Sequence, residues 1–217
     1  MLYKTILFDL DGTITDSGAG IINSVRYALE KMSLEAPDAA KLASFIGPPL
    51  YESFQKHFQL NETASNQAIA YYREYYQEKG IYENYLYEGI PKVLADLKQA
   101  KAQLYIATSK PEVFAKKILD YFDVAHYFTG IYGATLDNQR SQKGDVIRYA
   151  LAQGAIQELQ HTVMVGDRRH DILGAKENNL ASIGVLYGFG DRPELTLAEA
   201  DYIVTAPAEI TQLILNK

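Results

Sequence analysis

The chain has 217 residues and 47% hydrophobic content, enough for one large domain or for a core with a smaller insert. A formal net charge of −6 with scattered Lys and Arg argues against nucleic acid polymers and anionic membranes as partners, and the absence of cysteine excludes disulfides, thiol catalysis and Cys-type zinc sites together. No apolar stretch is long enough to span a bilayer and Met1 leads straight into an apolar run instead of a basic leader, so a cytoplasmic location is expected.

In chain order, Ile6-Leu7-Phe8-Asp9-Leu10-Asp11-Gly12-Thr13 reads as a strand that ends abruptly in charge. Ile21, Ile22, Val25, Ala28, Leu29 and Met32 then recur at helical spacing behind a cap at Asp16 or Ser17. Further helices are expected around Asp38 to Ser44, Leu50 to Phe58 and Glu62 to Lys79, with no strand between Ser17 and about Tyr82. From Pro91 the pattern alternates: helix to Ala100, strand Gln103 to Ala107, helix Glu112 to Tyr121, a weaker strand Gly130 to Gly133, and helix Asp145 to Gln153. Strand Thr162 to Val165, helix Ile172 to Asn178, strands Ala181 to Leu186 and Tyr202 to Val204, and a helix from Pro207 complete it. Such alternation predicts an α/β fold, a doubly wound (Rossmann-like) parallel sheet covered on both faces, with a small all-helical domain inserted after the first strand. The expected division is 1–15 with 84–217 as core and 16–83 as insert.

Side chains two apart on a strand point the same way, so Asp9 and Asp11 share one space, and Gly12 lets the backbone turn behind them. Their mutual repulsion calls for a hard divalent cation with oxygen ligands, and Mg2+ is the usual choice where phosphate groups are handled. A calcium loop fails on inspection: Gly12 comes too early, and Gly20 stands where the bidentate Glu belongs. In doubly wound sheets the ligand crevice lies beyond the carboxyl ends of the strands. Those ends carry Asp9, Asp11 and Thr13; Thr108, Ser109 and Lys110; and Gly166, Asp167 and Asp171, with Lys143 just before a helix. A carboxylate nucleophile, a second carboxylate, hydroxyl donors and a fixed cation are the parts for phosphoryl transfer through an aspartyl-phosphate.

These residues resemble, in order, the four motifs of the haloacid dehalogenase-like hydrolases: Asp9-Leu10-Asp11-Gly12-Thr13, Thr108, Lys143, and Gly166-Asp167-Arg168-Arg169-His170-Asp171. The helical insert is similar in place and length to that family's cap, and Phe45 to Leu50 with Gly133 to Lys143 resemble the phosphoglycolate phosphatase-like and bacterial 5'-nucleotidase-like branches. The resemblance implies a Mg2+-dependent phosphomonoesterase acting on a small phosphorylated metabolite, with phosphoglycolate and nucleoside monophosphates as first candidates. It implies that Asp9 is the nucleophile and Asp11 the general acid and base. The metal would be held by Asp9, the backbone carbonyl of Asp11 and Asp167. Thr108 would hold phosphate oxygens with Thr13, Ser109 and Lys110 nearby, and Lys143 would offset negative charge. Asp171 would orient Lys143 or metal-bound water, and Gly47 would begin a cap loop at the substrate. A monomer and a homodimer are both compatible with this pattern.

Simpler readings stand beside these. Thr108 and Ser109 suit the start of a helix near Pro111, and Asp171 suits a helix cap. Arg168 could pair with a carboxylate or contact substrate. The four histidines are read as structural or surface, and Gly184, Gly188 and Gly190 as turn glycines. Tyr71, Tyr72, Tyr75 and Tyr76 form i, i+4 pairs that either pack within the insert or present an aromatic wall. Two alternative functions remain open at this point: a phosphosugar mutase using the same paired aspartates, and a catalytically silent scaffold that binds a protein partner.

Overall fold

The structure, a computed structural model, describes residues 1–137 and 139–215. Asn138 and the last two residues of the expected core, Asn216 and Lys217, lie outside the described residues. The chain begins with strand β1 (Thr5–Phe8) and a two-residue strand β2 (Thr15–Asp16). Four helices follow, α1 (Gly18–Lys31), α2 (Ala39–Ala43), α3 (Leu50–Phe58) and α4 (Glu62–Glu78), and then β3 (Tyr85–Leu86), which pairs with β2. Alternation then sets in with α5 (Ile90–Gln99), β4 (Gln103–Pro111), α6 (Glu112–Tyr121), β5 (Gly130–Ala134), α7 (Lys143–Gln153), β6 (Thr162–Gly166), α8 (Arg169–Glu177), β7 (Ala181–Val185), α9 (Arg192–Leu197), β8 (Tyr202–Val204) and α10 (Pro207–Leu215). The chain divides into two compact units, Met1–Thr15 with Leu86–Lys217, and Asp16–Tyr85.

In the sheet unit six parallel strands lie in the order β5-β4-β1-β6-β7-β8. The chain leaves β1 for β4 and β5 on one side and returns to β6, β7 and β8 on the other, which puts the switch in strand order at β1. All four residues of β1 are buried, as a strand covered on both faces requires. Beneath one face Leu7, Tyr105 and Met164 pack on Val146, Ile147 and Ala150 of α7 and Ala175 of α8. That packing fixes where α7 and α8 begin, at the same edge of the sheet as the end of β1.

In the helical unit α1 and α3 pack on α4, burying Val25, Leu29, Phe54, Ile69, Tyr72 and Tyr76. The N-cap position of α1 is Ser17, whose side chain makes no cap bond; the first helical amide, Gly18 N, donates instead to Oδ1 of Asp16 at 3.0 Å. Tyr72 and Tyr76 are buried and stacked at 5.4 Å, while Tyr75 meets Tyr27 and donates its hydroxyl to Glu83 at 2.9 Å. Tyr72 and Tyr76 are therefore packing residues of this unit.

Three element boundaries differ from the expected ones by two residues or more, for local reasons. Strand β4 runs on to Pro111 because its register with β5 shifts between Thr108 and Pro111 and resumes. Helices α7 and α8 start earlier than the apolar pattern indicates, since their first turns carry Lys143 and Arg169-His170-Asp171, polar residues without helical periodicity.

Candidate active site

Asp9 extends β1 by one residue, its N–H donating to Val165 O at 2.9 Å, so its side chain emerges at the sheet edge while only 6% exposed. The chain then turns back on itself: Leu10 O accepts from the amides of Ile14 and Thr15 at 2.9 and 3.0 Å. Gly12 has φ +83°, a left-handed conformation that side-chain-bearing residues rarely adopt, and a Cβ there would lie 2.2 Å from Asp167 Oδ2. Glycine at this position is thus needed twice over.

Four other strand or helix ends converge on the same place. Lys143, the first residue of α7, is 5% exposed and its Nζ lies 2.8 Å from Asp9 Oδ1, 2.8 Å from Asp171 Oδ1 and 3.1 Å from Ala107 O. A cation at a helix N-terminus opposes the helix dipole, and here two carboxylates outweigh that. Burial alone would lower its affinity for a proton, but Asp171 and Asp9 hold the ammonium well above its usual range. Asp167, immediately after β6, accepts from Phe189 N at 2.8 Å and lies 3.5 Å from the Thr13 hydroxyl. Burial, then the charges of Asp171 and Asp9, push its carboxyl well above the ordinary carboxylate value. Burial likewise raises Asp9, against the opposing pull of Lys143. Asp171 is both cap and ion-pair partner: Oδ2 accepts from Arg168 N at 3.0 Å while Oδ1 faces Lys143.

The carboxylates of Asp9, Asp167 and Asp171 offer ligand oxygens that all lie within 4.8 Å of one another. When all three are ionised, the buried carboxylates exceed the one ammonium of Lys143 by two negative charges, and a hard divalent cation with oxygen ligands fits that excess. Asp11 enters the expected metal set through its main-chain oxygen, and its carboxylate is engaged elsewhere, with Oδ2 2.5 Å from Lys110 Nζ. Asp11 Oδ1 is buried with no hydrogen-bond partner.

Of the remaining expected residues, Thr108 is buried in β4 where the register begins to shift, its Oγ1 accepts from Lys110 N at 3.2 Å, and its hydroxyl favours the charged form of Asp9. Ser109 is half-buried next to it. Gly47 lies in the helical unit with φ +103°. Arg168 pairs with Glu194, Nε to Oε1 at 3.0 Å.

Sequence reasoning missed the loop after β7. Tyr187 donates its hydroxyl to Thr13 O at 3.0 Å, Phe189 supplies the amide on Asp167, and a Cβ on Gly188 would lie 2.2 Å from Gly12 O. These turn glycines let one backbone lie against another at the site; a Gly-x-Gly directly after a strand was the available signal.

Comparison with known proteins places these features. The family model for haloacid dehalogenase-like hydrolase matches residues 6–185. A crystal structure of a predicted phosphatase from Clostridium acetobutylicum superposes with a TM-score of 0.96 at 46% identity, covering 100% of both chains. A 5'-nucleotidase of Pseudomonas aeruginosa is 42% identical over 98% of this chain and 96% of its own. The tyrosine-protein kinase PtkA of Mycobacterium tuberculosis is 39% identical over 97% of this chain and 71% of its own. Among the described residues no helix is long and apolar enough to cross a membrane.

Proposed function

Because this chain belongs to the haloacid dehalogenase-like hydrolase family and is a phosphomonoester hydrolase within it, we propose that it cleaves a small phosphorylated metabolite through a covalent phosphoryl group on Asp9. One observation carries the reading: Lys143 is held 2.8 Å from both Asp9 and Asp171 beside a third buried carboxylate, Asp167. Charge is gathered where a phosphoryl group brings more of it, and such preorganised charge is the main source of catalysis in phosphoryl transfer.

In the first step an oxygen of Asp9 attacks phosphorus, and the bond from phosphorus to the leaving oxygen breaks as the new bond forms. Asp11 gives its proton to that leaving oxygen. In the second step Asp11 takes a proton from water, the resulting hydroxide attacks phosphorus, and the bond to Asp9 breaks to release inorganic phosphate. Lys143 offsets charge on Asp9 and on the phosphoryl oxygens throughout, Asp171 holds Lys143 in place, and Thr108 donates its hydroxyl to a phosphoryl oxygen. Lys110 orients the Asp11 carboxylate through Oδ2 and, with Thr13 and Ser109, lines the phosphate position. Asp9, Asp167 and the main-chain oxygen of Asp11 would hold Mg2+, which when bound supplies neutralisation of the phosphoryl charge.

Nucleoside 5'-monophosphates rank ahead of phosphoglycolate, on the 42% identity to a 5'-nucleotidase. A panel of both, with MgCl2 or with EDTA, tests the reading. One phosphate released per dephosphorylated product, lost in EDTA and in Asp9→Asn, is the expected result. Phosphate returned to a sugar would favour the mutase, transfer to a protein tyrosine would favour kinase chemistry, and no turnover across the panel would favour the scaffold.

A further inference from the structure

We propose that Asn178 is a positioning residue for Lys143, acting through the crossing of α7 and α8; this rests on the role given to Lys143 above. Asn178 caps the C-terminus of α8, is 8% exposed, and donates its side-chain amide to carbonyls on two helices, Gly174 O at 2.8 Å and Gly144 O at 3.0 Å. The first bond is ordinary capping. The main-chain N–H of Asn178 turns to Ala175 O at 3.0 Å, so the carbonyl of Gly174 takes the side chain in its place. The second bond does nothing for α8. It reaches the residue next to Lys143 in the first turn of α7.

Asp171, Gly174 and Asn178 stand at i, i+3 and i+7, one stripe of α8, and all three serve Lys143 from that stripe. Asp171 takes its ammonium at 2.8 Å, Gly174 leaves room for its stem, and Asn178 ties the two helices together. A Cβ on Gly174 would lie 2.9 Å from Lys143 Cγ and 3.0 Å from Gly144 N, so the backbone of α8 is the wall against which the lysine stem rests. A lysine stem has four rotatable bonds, and fixing its tip between two carboxylates requires such a wall at a set distance. Asn178 sets that distance from the far end of α8.

The test is a double-mutant cycle. Phosphate release from p-nitrophenyl phosphate and from a nucleoside 5'-monophosphate is followed with MgCl2 in Asn178→Ala, Gly174→Ala, Lys143→Met and the two doubles containing Lys143→Met. The same cycle is read in parallel as affinity for beryllium fluoride, a phosphoryl mimic that reports on Lys143 even where turnover falls below detection. Each single change at 178 or 174 is expected to lower kcat by about 10-fold or more with KM within about 3-fold. In the Lys143→Met background each is expected to cost less than about 2-fold further. Gly174→Ala stands in should Asn178→Ala not fold: alanine raises helix propensity, while its methyl pushes back the lysine stem and the first turn of α7 together. Equal fractional losses with and without Lys143, or unchanged kcat and affinity in both single variants, overturn the proposal. Full activity in Lys143→Met overturns instead the role of Lys143 on which it rests, and the two failures are thereby told apart.

Discussion

The sheet unit and the helical unit bury different chemistry. Among the described residues every buried charged side chain, Asp9, Lys110, Lys143, Asp167 and Asp171, belongs to the sheet unit, whereas the buried polar residues of the helical unit are neutral: Ser17, Ser24, Ser53, Ser65 and Asn84. The helical unit fills its interior with rings, Phe45 against Phe54 at 5.1 Å and Tyr72 against Tyr76 at 5.4 Å. Burying an ion costs several kcal/mol unless it is well paired, and three clustered carboxylates are not. The sheet unit is therefore strained in its charge where it is proposed to act, and the helical unit is not. Substitutions in the two units should accordingly separate into losses of activity and losses of stability.

The largest effect is expected at Asp9. Asp9→Asn keeps the shape of the side chain and removes the nucleophile, so phosphate release should fall by about 10⁴-fold or more with far-ultraviolet circular dichroism unchanged. Asp11→Asn should cost about 10²- to 10⁴-fold, and the loss should depend on the leaving group. An alkyl phosphate needs a proton on its departing oxygen, while p-nitrophenolate leaves without one. With p-nitrophenyl phosphate the variant should thus accumulate phosphorylated Asp9, visible by intact-protein mass spectrometry.

Phe54→Ala tests the other side. Phe54 is fully buried between Phe45 and Phe58, and truncation should remove about 3–5 kcal/mol from the helical unit. Urea unfolding should show the loss, and Mg2+ binding measured by calorimetry should not change. If Mg2+ affinity fell with it, the separation drawn between the units would be wrong.

Asp167 offers the reverse experiment. Between the ordinary carboxylate value and the raised folded one, the folded chain holds a proton which the unfolded chain has released. Its contribution to stability is fully present below the ordinary carboxylate range and is lost as pH rises through the folded value. In EDTA, Asp167→Asn should therefore raise Tm near neutral pH, by about 3 °C, while abolishing the Tm gain on adding MgCl2. In the unsubstituted chain that gain should grow as pH goes from about 5 to about 8, because the cation binds the ionised form and releases protons. A gain flat across this range, or Asp167→Asn less stable in EDTA, would falsify the claim that this charge is held against its own preference.

How far these features could be read in advance follows from how local each one is. Asp9, Asp11 and Asp167 were legible because each ends a short apolar run, and the order of strands and helices because β-branched runs alternate with amphipathic ones. Lys110 reaching Asp11 was not, since the contact spans 99 residues and depends on the register shift after Thr108. Asp171 reads in the sequence both as a helix cap and as a neighbour of Lys143, and the fold gives it both contacts, with Oδ2 on Arg168 N and Oδ1 facing Lys143 within the carboxylate cluster. Helix α9 was overlooked although its signal was present: Asp191 caps through Glu194 N at 2.8 Å, with Pro193 in the first turn and Glu194 three residues after the cap. Its brevity hid it, and with it the partner of Arg168.

The smallest expected effect sharpens the comparison from the helical side. His57 lies against the Phe45 ring at 5.2 Å with Nε2 2.9 Å from the Ser44 hydroxyl, and burial, then Lys41 and Lys56, lower its affinity for a proton. Serine already gives its own proton to Lys41 O at 2.7 Å, so the imidazole is the donor in this pair and neither group is an activated nucleophile. The sign is opposite to that of Asp167. Above the unfolded value both states are neutral; as pH falls below it the unfolded chain takes up a proton that the folded one resists, so stability declines until pH passes the folded value. His57 is partly open to solvent, so screening keeps the effect small, no more than about 2 °C in Tm between pH 7 and pH 5.5. His57→Gln, which retains a donor to Ser44, should flatten that part of the pH profile without touching the MgCl2 response. A profile unchanged by the substitution would overturn the assignment of this acid sensitivity to His57, since the raised carboxyl of Asp167 acts in the opposite direction.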